Sequence, residues 1–206
     1  MFQCERSHSL QVWHSPNHPR PVQQRVKHPE KVMVWGIMSA QGAGRLHVCE
    51  GMMNKEKYLH VLRSRVVPQM MEWLPNGDGT FIHNSAPCHS AKICKEFLRE
   101  SNIPVLRWPG NSPDLNPIET LWGIIKRRLS EFDISSKKEL IHQVIKLWHR
   151  DCSISETCSK LIASMPDRIK AVIQARGGHT KFWIVLSKFL MKYTFRGWNY
   201  AFIYYI

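Results

Sequence analysis

Residues 32–38 read VMVWGIM, an unbroken apolar run. It is short enough for a buried strand and too short for a membrane span or a long helix. A turn rich in glycine, with Gly42 and Gly44, follows, and RLHVCEG (45–51) is a second strand candidate, so the two read as a hairpin. Asn54 then caps a helix predicted over 55–72, with Tyr58, Val61, Leu62 and Val66 on one face and a kink at Pro68. After the NGDG turn at 76–79, TFIHN is a short strand, 90–100 a helix with Cys94, Phe97 and Leu98 inward, and IPVLRW (103–108) another strand. Strands that alternate with helices in this way define an α/β layout.

The loop PGNSPDLNP (109–117) leads into the clearest helix start in the chain. Asn116 stands at the N-cap, Pro117 at the first helical position and Glu119 at the third, where a capping-box residue belongs. The apolar stripe is Ile118, Leu121, Trp122, Ile125, Leu129 and Phe132. Capping-box spacing recurs at Ser136/Glu139 and Ser153/Glu156, opening two further helices. A last helix is predicted from Pro166 to the Gly177-Gly178 stop. This divides the chain into a basic, proline-rich arm (1–31), a core (32–132), helices of the same domain (133–182) and an extension (183–206). Nine of the extension's 24 residues are aromatic, but Lys188, Lys192 and Arg196 interrupt it, making it a poor membrane span and an expected loosely packed appendage.

Charge narrows the partners. The chain carries 29 Lys and Arg against 16 Asp and Glu, a net +13, and such an excess favours polyanions through counterion release. The six cysteines form no C-x-x-C pair, so a zinc ribbon or finger is excluded. Residues 1–31 are polar and rich in His, Pro and Arg, unlike a secretory signal, and the expected setting is intracellular with reduced thiols.

FIHNSAPCH (81–89) looks like a strand running into a site, yet no carboxylate stands at its tip. Three segments, KHPEKVMVWGIMSAQGAGRLHVCEG, FIHNSAPCHSAKICKEFL and VLRWPGNSPDLNPIETLWGIIKRRL, resemble transposases of the mariner superfamily. The resemblance covers about residues 2–182 and implies a ribonuclease-H-like α/β fold with a mixed sheet. It also implies three acidic residues holding two magnesium or manganese ions for attack on DNA phosphodiesters. Glu119 matches the third acidic position. Asn84 occupies the second, and the 34 residues between them match a family spacing. Cys4, in FQCER, is the match to the first. Asn84 offers one neutral oxygen and Cys4 a soft sulfur, so metal binding at Glu119 is expected to be vestigial and no cofactor is expected today.

The expected function is therefore a transposase-derived DDE domain, inactive in catalysis, that retains sequence-nonspecific nucleic-acid binding in the nucleus or cytoplasm. Residues 1–31 show no helix-turn-helix pattern for reading transposon ends. One alternative is an active metal-dependent transposase or nuclease using Glu119 with other ligands such as Glu5. Another is a protein-interaction or unselected product, dimerisation being common in the family. Candidate nucleic-acid contacts are Lys126, Arg127, Arg128 and His89, against the plain reading of a solvated helix face and turn. Asp114 reads as an Asx-turn former. Trp35, Trp108 and Trp122 could stack on bases, but their positions suit a core.

Overall fold

The computed structural model describes residues 2–3, 31–109, 112–178, 180–182 and 202–205, the first and last of these segments by backbone alone. The apolar run becomes β2 (Lys31–Ser39), after a two-residue β1 (Phe2–Gln3) that pairs antiparallel with Val32 and Lys31. β2 and β3 (Gly42–Cys49) form the hairpin, in register Val34↔Val48 and Gly36↔Leu46 with an irregularity between Gly36 and Met38. The turn lies at Ala40-Gln41, earlier than the glycines suggest, because Gly42, with φ 127°, already belongs to the strand.

β4 (Phe81–His83) is joined to the hairpin through β5 (Phe202–Tyr205), which runs parallel to β2 and antiparallel to β4. The extension expected to pack loosely thus contributes a strand to the middle of the sheet; residues 183–201 lie outside the described residues. The predicted strand over 103–108 reduces to one bridge, Phe81↔Val105, held by Phe81 N–H on Pro104 O (2.8 Å) and Leu106 N–H on Phe81 O (2.9 Å). Pro104 has no N–H to extend the ladder.

Alternation along the strands sorts side chains to two cores. Trp35, Ile37 and Phe81 face α1 (Lys55–Val61), α2 (Val67–Trp73) and α4 (Lys92–Glu100), reached through the single-turn α3 (Pro87–Ser90). Val32, Val34, Leu46 and Ile82 face α5 (Pro117–Leu129), α6 (Lys137–Arg150) and α7 (Cys152–Ala163). α8 (Met165–Gln174) follows α7. Gly36 is needed on the second face: a Cβ there would sit 2.8 Å from Trp148 and 3.1 Å from Trp122, whose rings stack 4.7 Å apart over the strand. Trp35 and Trp122 are therefore core residues.

Local signals behave largely as the sequence indicates. Asn54 Oδ1 accepts the Lys57 N–H (2.9 Å), and Ser136 Oγ accepts the Glu139 N–H (3.2 Å). The irregularity attributed to Pro68 appears as a wide π turn at Leu62–Val66, between α1 and α2. α5 buries Ile118 through Leu129 but ends there, leaving Phe132 38% exposed. α7 is capped by Asp151, whose Oδ1 accepts the Ser153 N–H (3.0 Å), so Ser153 is inside the helix and not its cap.

Candidate functional site

β4 carries the chain outward to Asn84, the first residue past its end. Asn84 Oδ1 accepts the Ala86 N–H (3.1 Å), closing an Asx turn that aims the chain into α3. The Asn84 backbone oxygen accepts from His89 Nδ1 (3.0 Å). His89 is buried, its ring stacked 5.0 Å from His83 and tilted 35° against Tyr58 at 4.1 Å, and the Tyr58 hydroxyl lies 2.8 Å from His83 Nδ1. Burial is the main force lowering both imidazoles, His89 to about 3 and His83 to about 4. His89 is thus an internal, neutral ring, not the phosphate-facing or solvated residue expected from its neighbourhood.

Glu119 sits in the first turn of α5 as expected, but the capping box does not form. The Asn116 side chain makes no cap bond, and its backbone N–H is already held by Pro113 O (3.1 Å), so nothing there awaits the Glu119 carboxyl. Burial pushes that carboxyl up to about 8, opposed by the Lys126 ammonium; burial likewise lowers Lys126, and Glu119 partly restores it. The two are coupled along one helix face. Lys126 therefore faces Glu119's surroundings.

The rest of the basic run divides. Arg128 pairs with Asp151, and its Nη2 donates to Ser153 Oγ (2.8 Å), tying α5 to the start of α7. Arg128 is a structural clamp, contrary to the expectation of a backbone contact. Arg127 is exposed. Trp108 is partly buried and packs against the core beside the hairpin.

The loop before α5 is held by residues that sequence reasoning passed over. Arg168, buried on α8, donates from Nη1 to Asp114 O (2.7 Å), from Nη2 to Thr120 Oγ1 (3.1 Å) and from Nε to Ser164 Oγ (2.9 Å). The Asp114 carboxylate accepts from Thr180 Oγ1 (3.0 Å). Asp114 is a long-range anchor and not the local Asx-turn former expected. The only sequence signal for this clamp is the string SMPDR, whose Arg falls on the inward face of its helix.

These groups are a poor donor set for two divalent cations. Hard cations need several anionic oxygens. Here Asn84 supplies an amide oxygen already engaged by Ala86, and burial favours the neutral acid at Glu119. Cys4 lies outside the described residues.

An α/β fold with Asn84 just past the end of β4 and Glu119 opening the helix after SPDLNP is that of a ribonuclease-H-like DDE domain. The sequence profile of the DDE superfamily endonucleases matches residues 3–141, and the chain belongs to that family, in its mariner-superfamily transposase branch. It is similar to the Tc1 transposase of Caenorhabditis elegans, 31% identical over 170 residues, covering 82% of this chain and 60% of that protein. It is also similar to the Tcb2 transposase of Caenorhabditis briggsae, 32% identical over 164 residues, covering 77% and 58%. The chain thus spans about three fifths of the curated relatives it matches. Its fold is similar to that in the Mos1 mariner paired-end complex with manganese, with TM-score 0.69 and 20% identity over 82% of this chain and 51% of that one. The Mos1 catalytic domain crystallised with raltegravir and magnesium gives TM-score 0.62 and 18% identity over 72% and 85%. No helix among the described residues is long and apolar enough to cross a membrane.

Proposed function

We propose that this chain is a DDE domain that has lost phosphoryl transfer and keeps sequence-nonspecific affinity for nucleic acid, acting where nuclear DNA is accessible. The observation that carries the reading is Asn84. At the family's second acidic position stands a neutral amide whose oxygen is bound to the chain's own turn. The Mos1 structures include a catalytic domain with magnesium and a paired-end complex with manganese. Those relatives support metal and DNA use as ancestry. The net +13 supports continued attraction to phosphates.

The test has two arms. A labelled duplex incubated with manganese or magnesium should stay uncut, and Asn84→Asp alone should not restore cutting, because one added carboxylate still leaves Cys4 at the first position. Filter binding between about 50 and 200 mM salt should show log affinity falling linearly with log salt. Metal-dependent nicking that disappears in Glu119→Gln would overturn the loss of catalysis. Absence of any binding at low salt would overturn the nucleic-acid reading.

A further inference from the structure

Among the described strands, β2 and β4 are joined only through β5. Gly36↔Phe202, Ile37↔Ile203 and Met38↔Tyr204 pair in parallel, and Phe81↔Tyr205, Ile82↔Tyr204 and His83↔Ile203 antiparallel. The other edge of β2 is taken by β3, and the other edge of β4 carries the bridge to Val105. β2 and β4 thus bound a slot one strand wide.

The slot makes a specific demand on its occupant. Phe81 gives both its backbone groups to Pro104 and Leu106, so by alternation Ile82 turns its own toward β5. Ile37 is passed over in the register with β3, which leaves its backbone for the same slot. Both residues are buried with β5 in place. Emptying the slot leaves two apolar edges with unpaired N–H and C=O groups, the template to which another strand adds.

The occupant is remote. Residues 183–201, nineteen in number, separate β5 from Phe182. A tether of that length reaches at most roughly 65 Å, against a breadth of roughly 40 Å for a domain of this size. β5 can therefore reach its own slot or a neighbour's. The ladder is made of main-chain pairs, which are the same for every copy of the strand.

We infer that the slot between β2 and β4 is a strand-acceptor site, and that its occupant in trans is Phe202–Tyr205 of a second copy of this chain. Two copies that exchange β5 fill each other's slots with every ladder pair kept, a closed two-fold arrangement. An unrelated extended peptide lacks that reciprocity. Tethering holds the chain's own strand at an effective concentration on the order of 1 mM. Closed monomers therefore prevail at micromolar concentration, and exchange grows toward millimolar. The inference is independent of the nucleic-acid reading and of the loss of catalysis.

The test uses the full chain with the photo-crosslinker p-benzoylphenylalanine in place of Ile206, just past β5. Light and ¹⁵N-labelled copies are mixed, equilibrated and irradiated, and the cross-linked peptides are read by mass. At about 10 µM, links to residues 79–82 should fall within single copies; toward about 1 mM, mixed heavy–light links to the same residues should appear. Absence of mixed links at every concentration, or mixed links that avoid residues 79–82, overturns the inference. A second arm opens the slot with Ile203→Pro/Tyr204→Pro, since consecutive residues direct their N–H groups to opposite neighbours. The Ile37 and Ile82 amides should then lose protection from hydrogen exchange. A lysine-tagged peptide of residues 200–206 should restore it, binding the variant at least tenfold more tightly than it binds the wild type. The same peptide carrying both prolines should not bind. Equal binding to variant and wild type, or binding without renewed protection at Ile37 and Ile82, also overturns the inference. If the proline variant does not fold, the heavy–light links decide.

Discussion

Replacing Glu119 by Gln should make the protein more stable at neutral pH, the opposite of what removal of a paired carboxylate does. The Glu119 carboxyl is held at about 8, against an ordinary value of 4.5, chiefly because burial penalises its charged form. The folded state therefore keeps a proton that the unfolded chain releases above pH 4.5. Stability is lost as pH rises from about 4.5 to about 8, since folding then requires either a proton taken from solution or a buried charge. Between pH 5 and pH 7.5 the full linkage amounts to about 3 kcal/mol, and partial solvent contact brings the expectation to about 1–3 kcal/mol. Gln has the shape and hydrogen-bonding capacity of the neutral acid and carries no such dependence. The assay is urea unfolding of both proteins at pH 5.0 and 7.5. The two should be alike at pH 5.0, and the variant more stable at pH 7.5. Taking the difference of differences cancels every other titrating group. A value near zero, or a variant less stable at pH 7.5, would refute the assignment of a half-buried, protonated Glu119.

Acid should act oppositely through the histidine stack. His83 and His89 are held at about 4 and about 3, so each remains neutral in the fold while the unfolded chain protonates below about 6.5. Each therefore removes stability as pH falls below about 6.5, roughly 2 kcal/mol apiece by pH 5, and His89→Gln should flatten the acid limb of a stability–pH curve measured by denaturant melts. Gly36→Ala should lower stability by about 1–3 kcal/mol, read as a drop in Tm, because the added methyl meets the Trp148 ring at 2.8 Å. Arg168→Met should leave Asp114 O and Thr120 without their donors, costing about 2–4 kcal/mol, and amide exchange should accelerate first at residues 112–116, the loop it holds.

The parts of this fold that depend on near neighbours are readable from the chain itself. VMVWGIM and RLHVCEG pair as a hairpin because alternation and a short turn specify both strands, and α5 buries its stripe from Ile118 to Leu129 because its period is that of a helix. Distance along the chain is what hides the rest. Nothing local tells that Phe202–Tyr205 pairs with residues more than a hundred positions earlier, since an aromatic run is compatible with several partners. Pro104 turns an apparent strand into a single bridge, a local rule outweighed in the reading by the apolar pattern around it. The candidate site shows the same division. The position of Asn84 follows from motif and spacing. The engagement of Arg128 by Asp151, of Asp114 by Thr180 and of His89 within a ring stack depends on segments that only the folded chain brings together.

Position 84 also explains how the fold can persist without a carboxylate there. The strand must turn sharply after His83, and the turn requires one acceptor oxygen, two residues before the Ala86 N–H. Asp and Asn meet that demand equally, because each places a side-chain oxygen at the same distance from its backbone. Metal binding makes a second demand, for negative charge, and only Asp meets it. An Asp→Asn exchange therefore removes the charge while keeping the turn, α3 and the bond from His89 to the Asn84 carbonyl. Glu119 is under weaker constraint in the present structure, since Asn116 is satisfied by Pro113 and no cap depends on the carboxyl. The two positions thus make separate predictions for the same domain. Substitutions at 84 that lack the acceptor, such as Asn84→Ala, should disturb the fold, whereas Glu119→Gln should improve it.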